Sequence, residues 1–491
     1  MVDPTKNARN MIRPATALKR TSRRKRWLIH WKTVSQSTAS PIWLIVWIGM
    51  LSSHQIFKDP TTFLLHLLLT IALLLVCYYF WNKQTPTRGR YIPLLFNEAV
   101  VLRHYLSPGL ESRFNCSNPK EDLPYILKHL RHRVYQMVLV NPWLCGYLKT
   151  NYGIPSIWID ELSVDRLFSE ICVDNPSDME RVLTQQTSVE VGAKILNTNK
   201  PFVKICIVYS PKCYDYYVTV CVTHMVGEPN LLYQLWGMLA PNAPTVPLWA
   251  DRHHSYKKHP LTALKGAARG KFLYFFLRSQ GSIFRTLCFG HQLSQDQPQP
   301  IMHRRYVDME WVQKQKEAYQ RRLAEHKNDG SPSYVSTQDI LTTWFFSQLK
   351  PSCVCVAYSL HDRAEHVTMQ HMGNYLEALV LFPEEYSNPG NVRRAVVTAG
   401  EWAPAGNRSG RGDDDSAGLV TGWHSRHVDL ELPRSTRQTH LPLRGAMFTG
   451  MIPRVLPCMC LFRTSRDQFA VVTLSQEELL DTSAFGDPVN V

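Results

Sequence analysis

The sequence predicts a mixed α/β fold behind a membrane-embedded N-terminal segment, and three observations predict it. Runs of β-branched and aromatic residues alternate with helical patterns along most of the chain and end in a group of strand-like runs. Thr62 to Trp81 is an almost unbroken apolar stretch of about twenty residues, the length that crosses a bilayer as a helix. Between these, Val203 to Tyr209 and Tyr214 to Val222 are two strand-like runs separated by the turn Ser210-Pro211-Lys212-Cys213. They lead through His224 into Leu231, Leu232, Leu235, Trp236 and Leu239, which recur at helical spacing.

In order along the chain, residues 1–38 form a basic tail. Ten Lys or Arg precede residue 33, against a single acidic residue, Asp3. Net charge over 491 residues is +15, so the remainder is only mildly basic, which argues against a nucleic-acid protein. The cluster Lys19-Arg20 and Arg23-Arg24-Lys25-Arg26 could bind nucleic acid or serve as a nuclear signal, but its place just before apolar sequence favours a role in membrane topology. Residues 39–82 follow as a membrane hairpin or single crossing: Ile42 to Met50 is a short apolar run, and Tyr78 to Trp81 an aromatic belt at the end of the longer one. Lys83, Arg88 and Arg90 on the far side match the basic tail. By the positive-inside rule both ends then face the cytosol; if only Thr62 to Trp81 spans, the rest of the chain lies on the opposite side. The expected location is an endomembrane such as the endoplasmic reticulum, with the globular part cytosolic.

Beyond the linker Thr85 to Arg90, residues 91–300 form a first half. It holds a helix over Leu123 to Val140, a strand over Tyr152 to Ile159, and Gln185 to Ile195, which fits either strand or linker. The hairpin, His224 and its helix come next, closed by Pro241 to Pro247. Leu261 to Phe289 interleaves cations with aromatics, a pattern that could stack nucleobases but beside a membrane segment better suits a lipid surface or a crossover helix. Residues 301–491 form a second half: a helix over Met309 to His326, a strand over Leu376 to Phe382, a helix over Pro389 to Ala399 and a Gly/Asp-rich loop over Ala403 to Gly418. Strands over Gly445 to Met451, Val455 to Phe462 and Gln468 to Leu474 end it. The twelve cysteines include Cys353-Val354-Cys355 and Cys458-Met459-Cys460, i, i+2 pairs that each point to one face of a strand, as small core residues. No metal-ligand spacing occurs.

His224 to Pro229, His-Met-Val-Gly-Glu-Pro, resembles the HxxxDG signature of the acyl-CoA-dependent acyltransferases related to chloramphenicol acetyltransferase, BAHD enzymes, wax-ester synthases and condensation domains. Three further stretches agree in order and spacing. Ser336-Thr337-Gln338-Asp339-Ile340-Leu341 looks like the segment S-x-N-D-x-L, Leu360-His361-Asp362-Arg363 like a worn D-x-R-x-R, and Gly373-Asn374-Tyr375 like G-N-x. The resemblance implies two α/β sandwich halves with a tunnel between them, acyl-CoA entering from one face and the acceptor from the other.

It also implies roles. His224 would be the general base on an acceptor hydroxyl, a task imidazole suits because it titrates near neutrality. The motif's acidic residue, here Glu228, would be structural and paired with Arg363. Thr421 or Asn374 would contact the oxyanion or the substrate. Two departures stand out: Glu228 replaces aspartate, and Pro229 replaces glycine, although proline suits the first turn of a helix. The activity so implied is transfer of an acyl group from acyl-CoA, a cosubstrate rather than a bound cofactor, to a hydroxyl of a lipid or other apolar acceptor at the membrane. The alternative is a catalytically inactive protein of the same fold acting as a membrane-tethered binding or scaffold protein. No nucleic-acid partner is expected.

Overall fold

The computed structural model describes residues 90–95, 98–99, 107–151, 153–252, 301–325, 332–363, 366–398, 417–443 and 457–489. The expected membrane segment at 39–82, the basic aromatic stretch at 261–289, most of the loop at 403–416 and the strand at 445–451 lie outside them. No described helix is long and apolar enough to cross a membrane.

The strands in chain order are β1 Arg90–Pro93, β2 Gly109–Cys116, β3 Tyr147–Asn151, β4 Ile154–Ile159, β5 Phe168–Cys172, β6 Val203–Tyr209 and β7 Asp215–Val222. The second half continues with β8 Ile301–Val307, β9 Cys353–Ser359, β10 Leu376–Leu381, β11 Ala417–Gly422, β12 Ser435–Pro442, β13 Cys458–Arg463, β14 Phe469–Ser475 and β15 Phe485–Pro488. The longer helices are α1 Pro119–Val140, α2 Pro229–Gly237, α3 Met309–Glu325, α4 Thr337–Leu349 and α5 Pro389–Val397.

The first half is built on a five-stranded sheet in the order β12-β2-β7-β6-β5, with a smaller sheet β1-β4-β3 beside it. The expected hairpin is its spine: β6 and β7 pair antiparallel from Val203↔Val222 to Tyr209↔Tyr216. Alternating Val, Ile and Tyr residues bury against α1 and α2, and removing that much branched apolar surface from water is the main source of stability here. The second half is built on a seven-stranded sheet, β10-β9-β11-β13-β14-β8-β15. Its own core lies between the sheet and α3 to α5, through Leu341, Phe345, Phe346, Val354, Val356 and Leu461.

Strand β12 belongs by sequence to the second half, yet it pairs with β2 in the first. The His440 ring fixes this crossing, with Nδ1 2.8 Å from the Ser112 hydroxyl and Nε2 3.3 Å from the Tyr233 hydroxyl of α2. Tyr216 donates to the Ser435 hydroxyl at 2.7 Å. The residues from Gln185 to Ile195 form neither strand nor plain linker. The first two end a helix, Met179–Gln186, whose Met179, Val182 and Leu183 stand at helical spacing and bury against Val208, and the last four form a short helix, Gly192–Ile195.

Candidate active site

His224 sits where β7 hands over to α2, as the sequence predicts. Thr223 and Val226 close a tight turn, the Val226 amide donating to the Thr223 carbonyl at 2.9 Å. Glu228 occupies the N-cap of α2 and Pro229 its first position, where the missing N–H has no helical partner to lose. Gly227 has a steric reason, since a Cβ there would lie 2.5 Å from Leu231 Cδ2. His224 is half-buried. Burial pulls its ring below the ordinary histidine value, while hydrogen bonding with the Asn374 side chain and the nearby backbone and the charge of Glu228 work the other way. The net direction keeps the imidazole neutral, the form a proton acceptor needs.

Asn374 comes from the second half and reaches the histidine loop directly. Its Nδ2 donates to the His224 carbonyl at 2.7 Å and toward Glu98 Oε1 at 3.3 Å. Both amide protons are therefore engaged, one on the loop and one on Glu98, so Asn374 fits a support better than an oxyanion donor.

Glu228 and Arg363, the expected pair, are not brought together. Glu228 Oε1 lies 2.5 Å from His361 Nδ1, and His361 Nε2 lies 2.9 Å from the His371 carbonyl. The His361 ring and the Glu228 carboxylate are both buried, at 2 % exposure each. An acceptor faces either nitrogen: burial works against a charge on the ring, but the Glu228 carboxylate and the His371 carbonyl together outweigh it and raise the His361 pKa above the ordinary value. The turn explains the swap. Asp362 takes a left-handed conformation at φ 57°, which short polar side chains tolerate, and this sends His361 inward and Arg363 out. Arg363 is exposed, lies over the Tyr358 ring at 4.4 Å and donates to the Ser359 carbonyl at 2.9 Å.

The segment resembling S-x-N-D opens α4 with a capping box: Ser336 accepts from the Asp339 amide, and the Asp339 carboxylate accepts from the Ser336 amide at 2.7 Å. Asp339 also pairs with Arg393 of α5 at 2.6 Å. Helix α4 packs closely on β11, where a Cβ at Gly418 would meet Phe346 at 2.3 Å and one at Gly422 would meet Gln338 at 2.6 Å. By strand alternation, Thr421 then faces away from α4. It shares that face with Leu419, Cys355 and Cys458, in register across β9, β11 and β13. The Trp423 indole donates to the Thr421 hydroxyl at 3.1 Å, which leaves the hydroxyl proton to donate elsewhere. Burial pushes the Cys355 and Cys458 thiols up to about 12, so they act as apolar lining.

Three residues at this site escaped the sequence reading: His361, Glu98 and Arg252. Glu98 is a carboxylate inside a mostly apolar run, Tyr91 to Leu102, and a charge in such a run is the one signal that could point to it.

No family model and no curated protein matches the sequence. Solved structures do. F. graminearum TRI101 complexed with coenzyme A and T-2 mycotoxin is similar over 79% of this chain and 95% of its own, at 11% identity and a TM-score of 0.54. The same protein with ethyl coenzyme A gives 0.53 at 11% identity over the same shares. Its complex with coenzyme A and deoxynivalenol gives 0.52 at 12%, again over 79% and 95%. The likeness is one of fold. It spans both halves and agrees with the mixed α/β architecture expected from the sequence.

Proposed function

We propose that this chain is an acyl-CoA-dependent acyltransferase, with His224 as general base and the hydroxyl of a lipid or other apolar alcohol as acceptor. The observation that carries the reading is His224 itself: a half-buried imidazole at a strand-to-helix turn, depressed in basicity, with its loop tied to the second half by Asn374. Likeness of fold to a protein crystallised with coenzyme A supports the cosubstrate. In this proposal the acceptor and acyl-CoA meet His224 in a tunnel between the halves. His224 takes the hydroxyl proton as the oxygen attacks the thioester carbonyl, and the collapsing tetrahedral intermediate expels the CoA thiolate, which recovers the proton from the imidazolium. Thr421, with its hydroxyl proton uncommitted, is the candidate donor to the oxyanion. Residues 39–82 anchor the enzyme at an endomembrane, the globular part facing the cytosol, where an apolar acceptor is found.

The test is turnover of labelled acyl-CoA by the full chain with fatty alcohols, diacylglycerol and sterols, beside His224→Ala. Loss of about a hundredfold or more in the variant is expected for removal of a general base; undiminished activity would overturn the assignment. A second reading, a membrane-tethered binding protein of the same fold, draws on Glu228 and Pro229 standing in for aspartate and glycine. Absence of turnover with every acceptor would favour it.

A further inference from the structure

Three chain segments, at Leu95, Arg252 and Asn374, converge on a carboxylate that the acyl-transfer chemistry does not itself call on. Glu98 is fully buried. Its Oε2 accepts from the Leu95 amide at 2.7 Å and from Arg252 Nε at 3.0 Å. Its Oε1 accepts from the Asn374 amide at 2.8 Å, from Arg252 Nη2 at 3.2 Å and from Asn374 Nδ2 at 3.3 Å. Five donors on two oxygens match an ionised carboxylate, which accepts at about four sites and donates at none. An amide would turn an NH2 group toward donors.

The two residues held by Glu98 each hold the histidine loop. Asn374 Nδ2 donates to the His224 carbonyl at 2.7 Å, and Arg252 Nη2 donates to the Val226 carbonyl at 2.9 Å while Nη1 donates to the Ala250 carbonyl at 2.7 Å. The backbone is thus gripped at His224 and two residues beyond it, by two donors that share one carboxylate. Gly373 lets them approach: its φ is +140°, and a Cβ there would lie 3.0 Å from Arg252 Nε. Segment 249–252 is itself stitched to the second half, since the Trp249 amide donates to the Gln370 carbonyl and the Met372 amide to the Trp249 carbonyl, each at 2.8 Å.

We propose that Glu98 is the positioning residue of this site: acting through Asn374 and Arg252, it fixes the backbone on which the His224 ring is mounted and makes the ring's aim depend on the docking of the two halves. The proposal rests on reading His224 as the base. A carboxylate that served stability alone would leave the histidine's chemistry unchanged in any variant that still folds. A positioning carboxylate sets kcat more than the KM for acyl-CoA, because misplacement of a base by about 1 Å costs on the order of a hundredfold in rate while leaving the cosubstrate's distant contacts intact.

The experiment compares the full-length chain with Glu98→Gln, Glu98→Asp and Arg252→Lys. Two readouts are taken at temperatures where each variant remains folded: acyl-transfer kinetics, and hydrogen–deuterium exchange at the Cε1 of each histidine across a pH series, resolved by mass spectrometry of the peptide bearing His224. In Glu98→Gln we expect kcat to fall about tenfold to a hundredfold with KM for acyl-CoA within about twofold. The His224 exchange profile should shift, with partial recovery of both in Glu98→Asp. An unshifted His224 profile with kcat within about twofold of the parent chain would overturn the proposal. If the parent chain turns over no acyl-CoA while Glu98→Gln still moves the His224 profile, the proposed reaction falls and the positioning role stands. Should Glu98→Gln fail to fold, Arg252→Lys decides by the same measures, because it keeps the cation and removes the forked donor to Val226.

Discussion

At the scale of the single residue, the site depends on which protonation state each ring is held in. His224 is pulled below the ordinary histidine value chiefly by burial. A base so depressed stays competent as pH falls through the range where a free histidine would be disabled. The acid limb of kcat/KM is therefore expected below the ordinary value of about 6.5; a limb above it would contradict the burial argument. Thr421 makes a separate claim. If its hydroxyl supports the oxyanion, Thr421→Val should lower kcat by about a hundredfold with little change in acceptor KM, whereas Thr421→Ser should retain most of the rate. Trp423→Phe removes the donor to that hydroxyl and should have a smaller effect of the same sign. His224 was legible because it stands at a visible change of period, from two-residue alternation to helical spacing. His361 was hidden because its meaning depends on a partner that lies 133 residues earlier, Glu228 at 2.5 Å, and on a left-handed Asp362 that no local pattern announces.

At the scale of the element, the turn from Thr223 to Pro229 is held at one end by Glu228 and His361 and at the other by Asn374 and Arg252. The first pair gives the turn a pH dependence whose sign follows from the raised His361 pKa. A histidine raised on folding contributes stability that is fully present below its unfolded value, about 6.5, and is lost as pH rises through the folded one. The parent chain should therefore lose stability toward alkaline pH in that window. His361→Gln should be less stable below it, and flat across it. Breaking a buried pair by deleting one partner costs about 3–5 kcal/mol, because Glu228 is then left charged without compensation. Denaturant midpoints measured across the pH series check both the size and the direction; a His361→Gln chain with the parent's slope would refute the pairing. Several elements could be read in advance for simple reasons. Hairpin β6–β7 shows its alternation openly, and α4 announces itself through the serine and aspartate of a capping box. Strand β2 could not, since it is central and carries Glu111 and Ser112 buried within it, so its polar residues break the alternation that marks half-buried strands.

At the scale of the whole molecule, the division at residue 300 that the sequence suggests does not coincide with the boundaries of the sheets. Strand β12, from the second half, completes the first half's sheet along β2, and its composition, Ser-Thr-Arg-Gln-Thr-His-Leu-Pro, gives no sign of a strand because it lies at an edge with alternate residues in solvent. What holds it is tertiary: His440 between Ser112 and Tyr233, and Tyr216 on Ser435. The two halves therefore share structure. Expressed alone, residues 91–300 would present β2 as an unpaired edge with the Ser112 hydroxyl and the Tyr216 hydroxyl stripped of their partners, and are expected to be insoluble or to unfold without a cooperative transition. Expressed together with residues 301–491 as a separate chain, they should assemble into a soluble complex and recover the parent's single thermal transition. His440→Leu tests the same coupling inside the intact chain. It leaves two hydroxyls without their ring partner, at about 1–3 kcal/mol for each buried polar group left unsatisfied, and should destabilise both halves in one transition. Two separate transitions, with only the first half's midpoint lowered, would mean that the crossing strand does not couple them. The coupling bears on the proposed chemistry, because His224 takes its support from Asn374 of the second half: a chain in which the halves part by even a fraction of an ångström loses the aim of its base before it loses its fold, so in a denaturant series acyl-transfer activity should fail at lower denaturant than the tryptophan signal of the core.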